Sequence, residues 1–215
     1  MILIAAATEN EIKPLRFPTA SPQAEILITG MGPVAAAASL SRHLALHGVK
    51  IDAVLNIGVA GAYIGSGINL LDICLAQHEI LGDLGICMQD RIIDFQPGLG
   101  TTTYFEFKNE FIPKFKNIFT NQNIVFKNVN FVTVNCCTGT KERGEFLRRR
   151  HDAGCENMEG AAVAMVCQNF NVPCVELRCI SNMVDDRDTT QWQLSEAIEK
   201  ICLVADTLLQ IHLKD

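Results

Sequence analysis

Apolar positions recur along this chain in two rhythms. Short, mostly apolar runs at 2–7, 25–29, 52–56, 70–80, 84–89, 130–135 and 174–180 predict strands, the last broken only by Glu176 and Arg178. Between them, apolar residues at three- and four-residue spacing predict helices. One spans 34–47 with Pro33 at the favoured first position, one spans 161–170 through Ala162, Val163, Met165, Val166 and Phe170, and a charged one spans 142–151. A final helix over 191–212 carries Trp192, Leu194, Ile198, Ile201, Ala205, Leu208 and Leu209 as its inward stripe, with Thr190 and Gln193 as its capping box. The stretch 95–131 differs in character, holding eight of the eleven phenylalanines with Lys108, Lys114, Lys116 and Lys127 interleaved. Phe107, Phe111, Phe115 and Phe119 repeat every four residues, and Pro113 limits a continuous helix through them. These rings are either core or a lid or subunit surface that receives an apolar part of a ligand. Strands alternate with helices, and glycines and acids collect after strands, which predicts a layered α/β domain with one crevice.

Composition narrows the function classes. A chain of 215 residues, 48% hydrophobic and 20% charged, suits one domain over 1–215 with a substantial core. The net charge is -6, and the one basic run, Arg148-Arg149-Arg150, reads as a solvated helix face, so neither nucleic acid nor an anionic membrane is an expected partner. The longest apolar region, 53–76, is interrupted by glycines, Asn56, Asn69 and Asp72 and is not read as a membrane span. Met1 leads into a strand-like run with no basic leader or cleavage site, and the expected location is cytoplasmic. Nine cysteines, odd in number and without a C-x-x-C pair, are expected to be reduced packing residues, although Cys136-Cys137 could mark a pocket wall. His43 and His47 share a helix face without the glutamate of an H-E-x-x-H motif, so neither a metal site nor a cofactor is expected.

Candidate chemistry gathers where strands end. Thr8 and Glu11 form a capping-box pattern after the first strand; Glu11 is either a cap or a general base directed into the crevice. Gly30-Met31-Gly32 opens a helix and either cradles an anion or allows close packing. The small residues Gly58-Val59-Ala60-Gly61-Ala62, which end the third strand, either let a flat ligand lie against backbone or form a tight loop. Glu159 stands where a loop enters a helix, and Asn182 just past a strand's C-terminal end; both are places where α/β sheets hold ligands.

These motifs carry a resemblance. Glu11 four residues after Ala7, the Gly30-Met31-Gly32 turn, Asn56-Ile57-Gly58-Val59-Ala60-Gly61, Asn157-Met158-Glu159-Gly160 and Arg178-Cys179-Ile180-Ser181-Asn182 resemble the purine nucleoside phosphorylase and nucleosidase superfamily. Within it, the chain is most similar to the futalosine hydrolase branch, related to the methylthioadenosine/S-adenosylhomocysteine nucleosidases. The resemblance implies a three-layer sandwich with a central mixed, twisted sheet flanked by helices. It also implies a homodimer or higher homo-oligomer acting on a small purine nucleoside, and cleavage of futalosine to dehypoxanthinyl futalosine and hypoxanthine in menaquinone biosynthesis. By the same resemblance Glu11 activates water, Arg178 orients it, and Glu159 holds the ribose and favours its oxocarbenium character. Asn182 reads the base, and Met158 packs on the sugar. Asn157, Ser181, Val59, Ala60, Gly61, Thr138 and Gly139 complete the substrate surface.

In adenine-cleaving relatives the position after the serine is an aspartate; asparagine suits a 6-oxopurine, because its carbonyl accepts from a protonated N7 and its amide donates to O6. Glu9 and Glu11 would repel a phosphate dianion, which favours water as nucleophile, while Lys13 and Arg16 keep phosphorolysis open. Val59 stands where adenine-cleaving relatives carry serine. The alternatives are an adenine-specific nucleosidase acting on methylthioadenosine, S-adenosylhomocysteine or aminofutalosine, a phosphorylase, and a nucleoside-binding storage protein without catalysis.

Overall fold

The computed structural model describes residues 1–16, 23–47, 50–88, 91–95 and 102–212. The opening apolar run forms β1 (Ile2–Ala6), buried at every position. A strand with no polar side must be covered on both faces, which is the situation of a central parallel strand. Accordingly β1 pairs in parallel with β2 (Ala24–Ile28) on one side and with β3 (Ala53–Tyr63) on the other. From β3 the sheet continues in two directions, antiparallel to β9 (Cys155–Asn157) and parallel to β10 (Cys174–Val184). The strand β4 (Ile73–Leu81) runs antiparallel to β10 and to β7 (Tyr104–Glu106), and parallel to β8 (Phe126–Thr133), which pairs with β9. Strands β3, β9, β8, β4 and β10 thereby close into a ring, with β1 and β2 extending from it as an open wing. A separate hairpin, β5 (Ile86–Met88) with β6 (Arg91–Ile93), lies off this sheet; the end of the strand predicted over 84–89 falls outside the described residues.

Helices cover both faces. On one, α2 (Pro33–His47) and α5 (Gly160–Phe170) share a core with Leu3, Val54 and Ile180. On the other, α3 (Phe111–Asn121) and α6 (Leu194–His212) pack over Ile4, Leu55 and Leu177. The charged helix α4 (Lys141–His151) covers a smaller cluster of Tyr63, Leu147 and Val184. A mixed sheet between helical layers is the architecture expected. Among the described residues no helix is long and apolar enough to cross a membrane.

Several expectations need correction. The Gly58-to-Ala62 segment is no loop: it lies inside β3, whose small residues let the chain stay extended between β9 and β10. Asn182 is not past the strand end but within β10, beside the register shift between Ile180 and Asn182. Pro113 stands in the first turn of α3, where no intrahelical N–H bond is lost, and the helix takes in Phe111, Phe115 and Phe119 but not Phe107. Phe107, Phe111, Phe115 and Phe119 are buried in the core, so they form neither a lid nor an exposed surface. The last helix begins at Leu194, after a 3₁₀ turn (Thr189–Gln191) capped by Asp188; Leu194 is exposed and its inward stripe starts at Ala197. The arginine run is solvated only at Arg149, whereas Arg150 reaches Ile92 O and Asp94 and ties α4 to the small hairpin.

Candidate active site

Glu11 lies in α1 (Glu9–Ile12), a single turn capped by Thr8. Its Oε2 completes the capping box, accepting from Thr8 N at 3.1 Å and Thr8 Oγ1 at 3.2 Å. The other oxygen, Oε1, accepts from Val59 N at 3.3 Å. The cap therefore aims the acid rather than competing with it: one oxygen is fixed by the turn and the other is held over β3. Gly58 is the neighbour that permits this, since a Cβ there would stand 2.6 Å from both Glu11 Oε1 and Arg178 Nη1.

Arg178 is 1% exposed. Its Nε donates to Glu176 Oε1 at 2.9 Å, Nη1 donates to Val59 O at 3.4 Å and lies 3.6 Å from Glu159 Oε2, and Nη2 donates to Asn157 Oδ1 at 3.4 Å. Burial alone would lower its pKa, but the charges of Glu176, Glu159 and Glu11 outweigh that and push it up, so the guanidinium stays charged.

Glu159 is the N-cap residue of α5, yet its side chain does no capping. Asn157 does that work instead, its Oδ1 accepting from Glu159 N at 2.8 Å and Gly160 N at 2.7 Å, while Thr133 Oγ1 accepts from Ala161 N at 2.7 Å. Freed from the helix end, the Glu159 carboxylate accepts from Gly32 N at 2.9 Å and faces Arg178. The glycine turn, expected either to cradle an anion or to allow close packing, thus holds an anion of the protein itself through Gly32 N. Both polar atoms of the Asn157 side-chain amide are engaged internally, Oδ1 with the start of α5 and Nδ2 with Glu79, which makes it a positioning residue.

The other end of the site is built across three strands. Asn182 of β10 sits opposite Gly61 of β3, which sits opposite Glu156 of β9. Ser181 Oγ donates to Asn182 Oδ1 at 2.9 Å and lies 3.4 Å from Ala60 O; Asn182 Nδ2 donates to Met183 O at 3.2 Å. A backbone carbonyl can only accept, so the group facing Met183 O is the amide nitrogen and the orientation of Asn182 is settled. Thr138 closes over Glu156, with its N donating at 2.8 Å and its Oγ1 at 2.6 Å, and Tyr63 Oη donates to the same carboxylate at 3.1 Å. Gly139 O accepts from Arg187 N at 3.4 Å. Met158 is half-buried, its sulfur 3.1 Å from Cys137 Sγ.

The structure thus brings Glu11, Val59, Arg178 and Glu159 together at one end and Ser181, Asn182, Ala60, Gly61 and Thr138 at the other. Sequence reasoning missed Glu79, Thr133, Glu156 and Glu176, buried polar residues that support the ones it named. Their only signal was an acid inside an apolar strand, visible for Glu79 and Glu176. Among the described residues no three His, Cys, Asp or Glu side chains are grouped as metal ligands would be. A cavity of about 490 Å³ between β7 and the C-terminal half of α5 contains none of the candidate residues.

The family model described as the phosphorylase superfamily matches residues 19–210. The chain is 33% identical to futalosine hydrolase of Thermus thermophilus over 85% of its own length and 80% of that protein's. It is 31% identical to aminodeoxyfutalosine nucleosidase of Helicobacter pylori, over 64% of this chain and 58% of that one. In solved structures it superposes on a mutant of futalosine hydrolase from Helicobacter pylori with a TM-score of 0.85, at 23% identity and 98% coverage of both chains.

Proposed function

The chain belongs to the phosphorylase superfamily, and from that premise we propose that it is a nucleosidase that hydrolyses the N-ribosidic bond of futalosine. The products are hypoxanthine and dehypoxanthinyl futalosine, a step of menaquinone biosynthesis. The observation that carries the choice of base is the fixed orientation of Asn182. Ser181 occupies one lone pair of Oδ1 and Met183 O takes one hydrogen of Nδ2. The remaining lone pair and N–H suit a base with a protonated N7 and an oxygen at C6. A 6-amino group would set donor against donor, and such a mismatch in a site built for hydrogen bonding discriminates by about 10⁴ or more.

The sugar end supports cleavage through an oxocarbenium-like state. Glu159, held by Gly32 N, places a carboxylate where positive charge grows on the ribose, and Met158 packs beside it. Glu11 takes the proton of an attacking water: its Oε1 is tethered by a single backbone N–H, which leaves a lone pair for the water. Arg178, whose Nη1 shares the space over Gly58 with Glu11 Oε1, orients that water.

Water rather than phosphate is favoured by the charge arrangement. Arg178 already faces Glu176, Glu159 and Glu11, while Lys13 and Arg16 are exposed. A phosphate dianion would meet these carboxylates, with Arg178 already committed to them. The test is chromatographic. The purified protein, incubated with futalosine in phosphate-free buffer, is expected to release hypoxanthine at a rate that added phosphate leaves unchanged. Release only after phosphate is added would overturn the hydrolytic reading.

A further inference from the structure

Two buried carboxylates take no direct part in that reaction and lie behind it. Glu79 on β4 and Glu176 on β10 are each 0% exposed. Both crowd the place where a Cβ on Gly160 would stand: Glu79 Oε1 and Glu176 Oε2 approach it from different strands, the latter to 2.5 Å. Two acid oxygens therefore share one small space at the start of α5, and only glycine leaves it open.

Their partners are unequal. Glu79 Oε1 accepts from Thr133 Oγ1 at 2.9 Å and from Asn157 Nδ2, and its Oε2 accepts from Ile80 N at 3.0 Å. Glu176 Oε1 accepts from Arg178 Nε, whereas the buried Glu176 Oε2 has no partner among the described residues. An ionised oxygen shut away from water without a donor costs about 1–3 kcal/mol or more. A proton on Glu176 Oε2 removes that cost, because the atom becomes a donor to Glu79, whose three donors suit an ionised acceptor.

The charge balance calls for one proton within the pair. Glu79, Glu176, Glu159 and Glu11 surround Arg178, and burial pushes the carboxyls of Glu79 and Glu176 up, Glu79 further through the charge of Glu176. The thiols facing the pair stay neutral: burial pushes Cys155 up, and a hydrogen bond to Cys167 together with burial pushes Cys174 up.

We propose that Glu79 and Glu176 form a proton-sharing positioning pair whose single negative charge holds Arg178 from behind, and through it sets Glu159 and Glu11. The catalytic consequence rests on the nucleosidase reading above; the shared proton does not. Infrared spectra of the unliganded protein at neutral pH test the proton directly. Wild type is expected to show a carboxylic-acid C=O band that is lost in both Glu176→Gln and Glu79→Gln, since either change leaves one ionised carboxylate. Absence of that band in wild type overturns the pair whatever the substrate proves to be.

The kinetic arm separates positioning from mere packing. Glu176→Gln keeps an oxygen for Arg178 Nε and places an N–H where the proton sat, so kcat should stay within about threefold. Its profile should also lose an alkaline fall in kcat that wild type shows as the pair gives up its proton. Glu79→Gln offers one acceptor oxygen to three donors, and kcat should drop at least about tenfold with KM little changed. Equal losses in the two variants, or an alkaline fall retained in Glu176→Gln, would overturn the assignment of the proton.

Discussion

Replacing Arg178 with methionine should reveal how far one cation balances this site. The side chain is 1% exposed, so solvent screening does little to soften its loss. Methionine fills much of the volume but removes the charge facing Glu176 at 2.9 Å and Glu159 at 3.6 Å. Breaking a buried ion pair by deleting one partner typically costs about 3–5 kcal/mol. For a chain of this size that is a fall in Tm of about 6–20 °C. The pH dependence is the sharper signature. Without the guanidinium, whose charge opposes the effect of burial, the carboxyl of Glu176 is pushed further above its unfolded value. The folded variant then holds protons that the unfolded chain has released, so its stability falls as pH rises above the ordinary carboxylate range. Urea unfolding of wild type and variant from pH 5 to 8.5 is the assay. The destabilisation should be smallest at the acid end and grow steadily toward the alkaline end. A loss below about 1 kcal/mol, or one equal at both ends, would refute the charge account.

Other changes should act more locally. Glu11→Gln should lower kcat by about 10²- to 10⁴-fold in a base-release assay while leaving substrate binding by calorimetry nearly unchanged; weakened binding with normal turnover would count against a general base. Gly58→Ala forces a methyl to within 2.6 Å of both Glu11 Oε1 and Arg178 Nη1, so turnover should collapse in a protein that circular dichroism shows to be folded. Thr138→Val removes the 2.6 Å donor to Glu156, a carboxyl that burial already pushes up. Denaturant titration should show a loss of about 1–3 kcal/mol, larger at pH 8 than at pH 5 because the folded state binds the extra proton.

The parts of the fold written in local pattern were legible from the chain. The wholly apolar run at Ile2 announced a central strand, and Thr8 with Glu11 announced a capped turn, because both signals lie within a few residues. What escaped depended on distant neighbours. The glycines and alanines of 58–62 look like a loop in isolation, and only pairing with β9 and β10 on either side keeps them extended. The Glu79–Glu176 pair was illegible for the same reason: each is a lone acid in an apolar strand, and only the crowding at Gly160 brings them together. The arginines of α4 looked solvated because the hairpin that receives Arg150 is far away in sequence. Glu159 was placed correctly at a helix start, but its freedom to face the crevice rests on Asn157 and Thr133 taking over the capping.

The most direct test of the function is the ratio of kcat/KM for futalosine to that for aminofutalosine, two substrates that differ in what their base presents to Asn182. Wild type is expected to prefer futalosine by about 10⁴-fold or more, and Asn182→Asp to erase or reverse the preference. Comparable rates on both substrates, or preferential release of adenine by wild type, would contradict it.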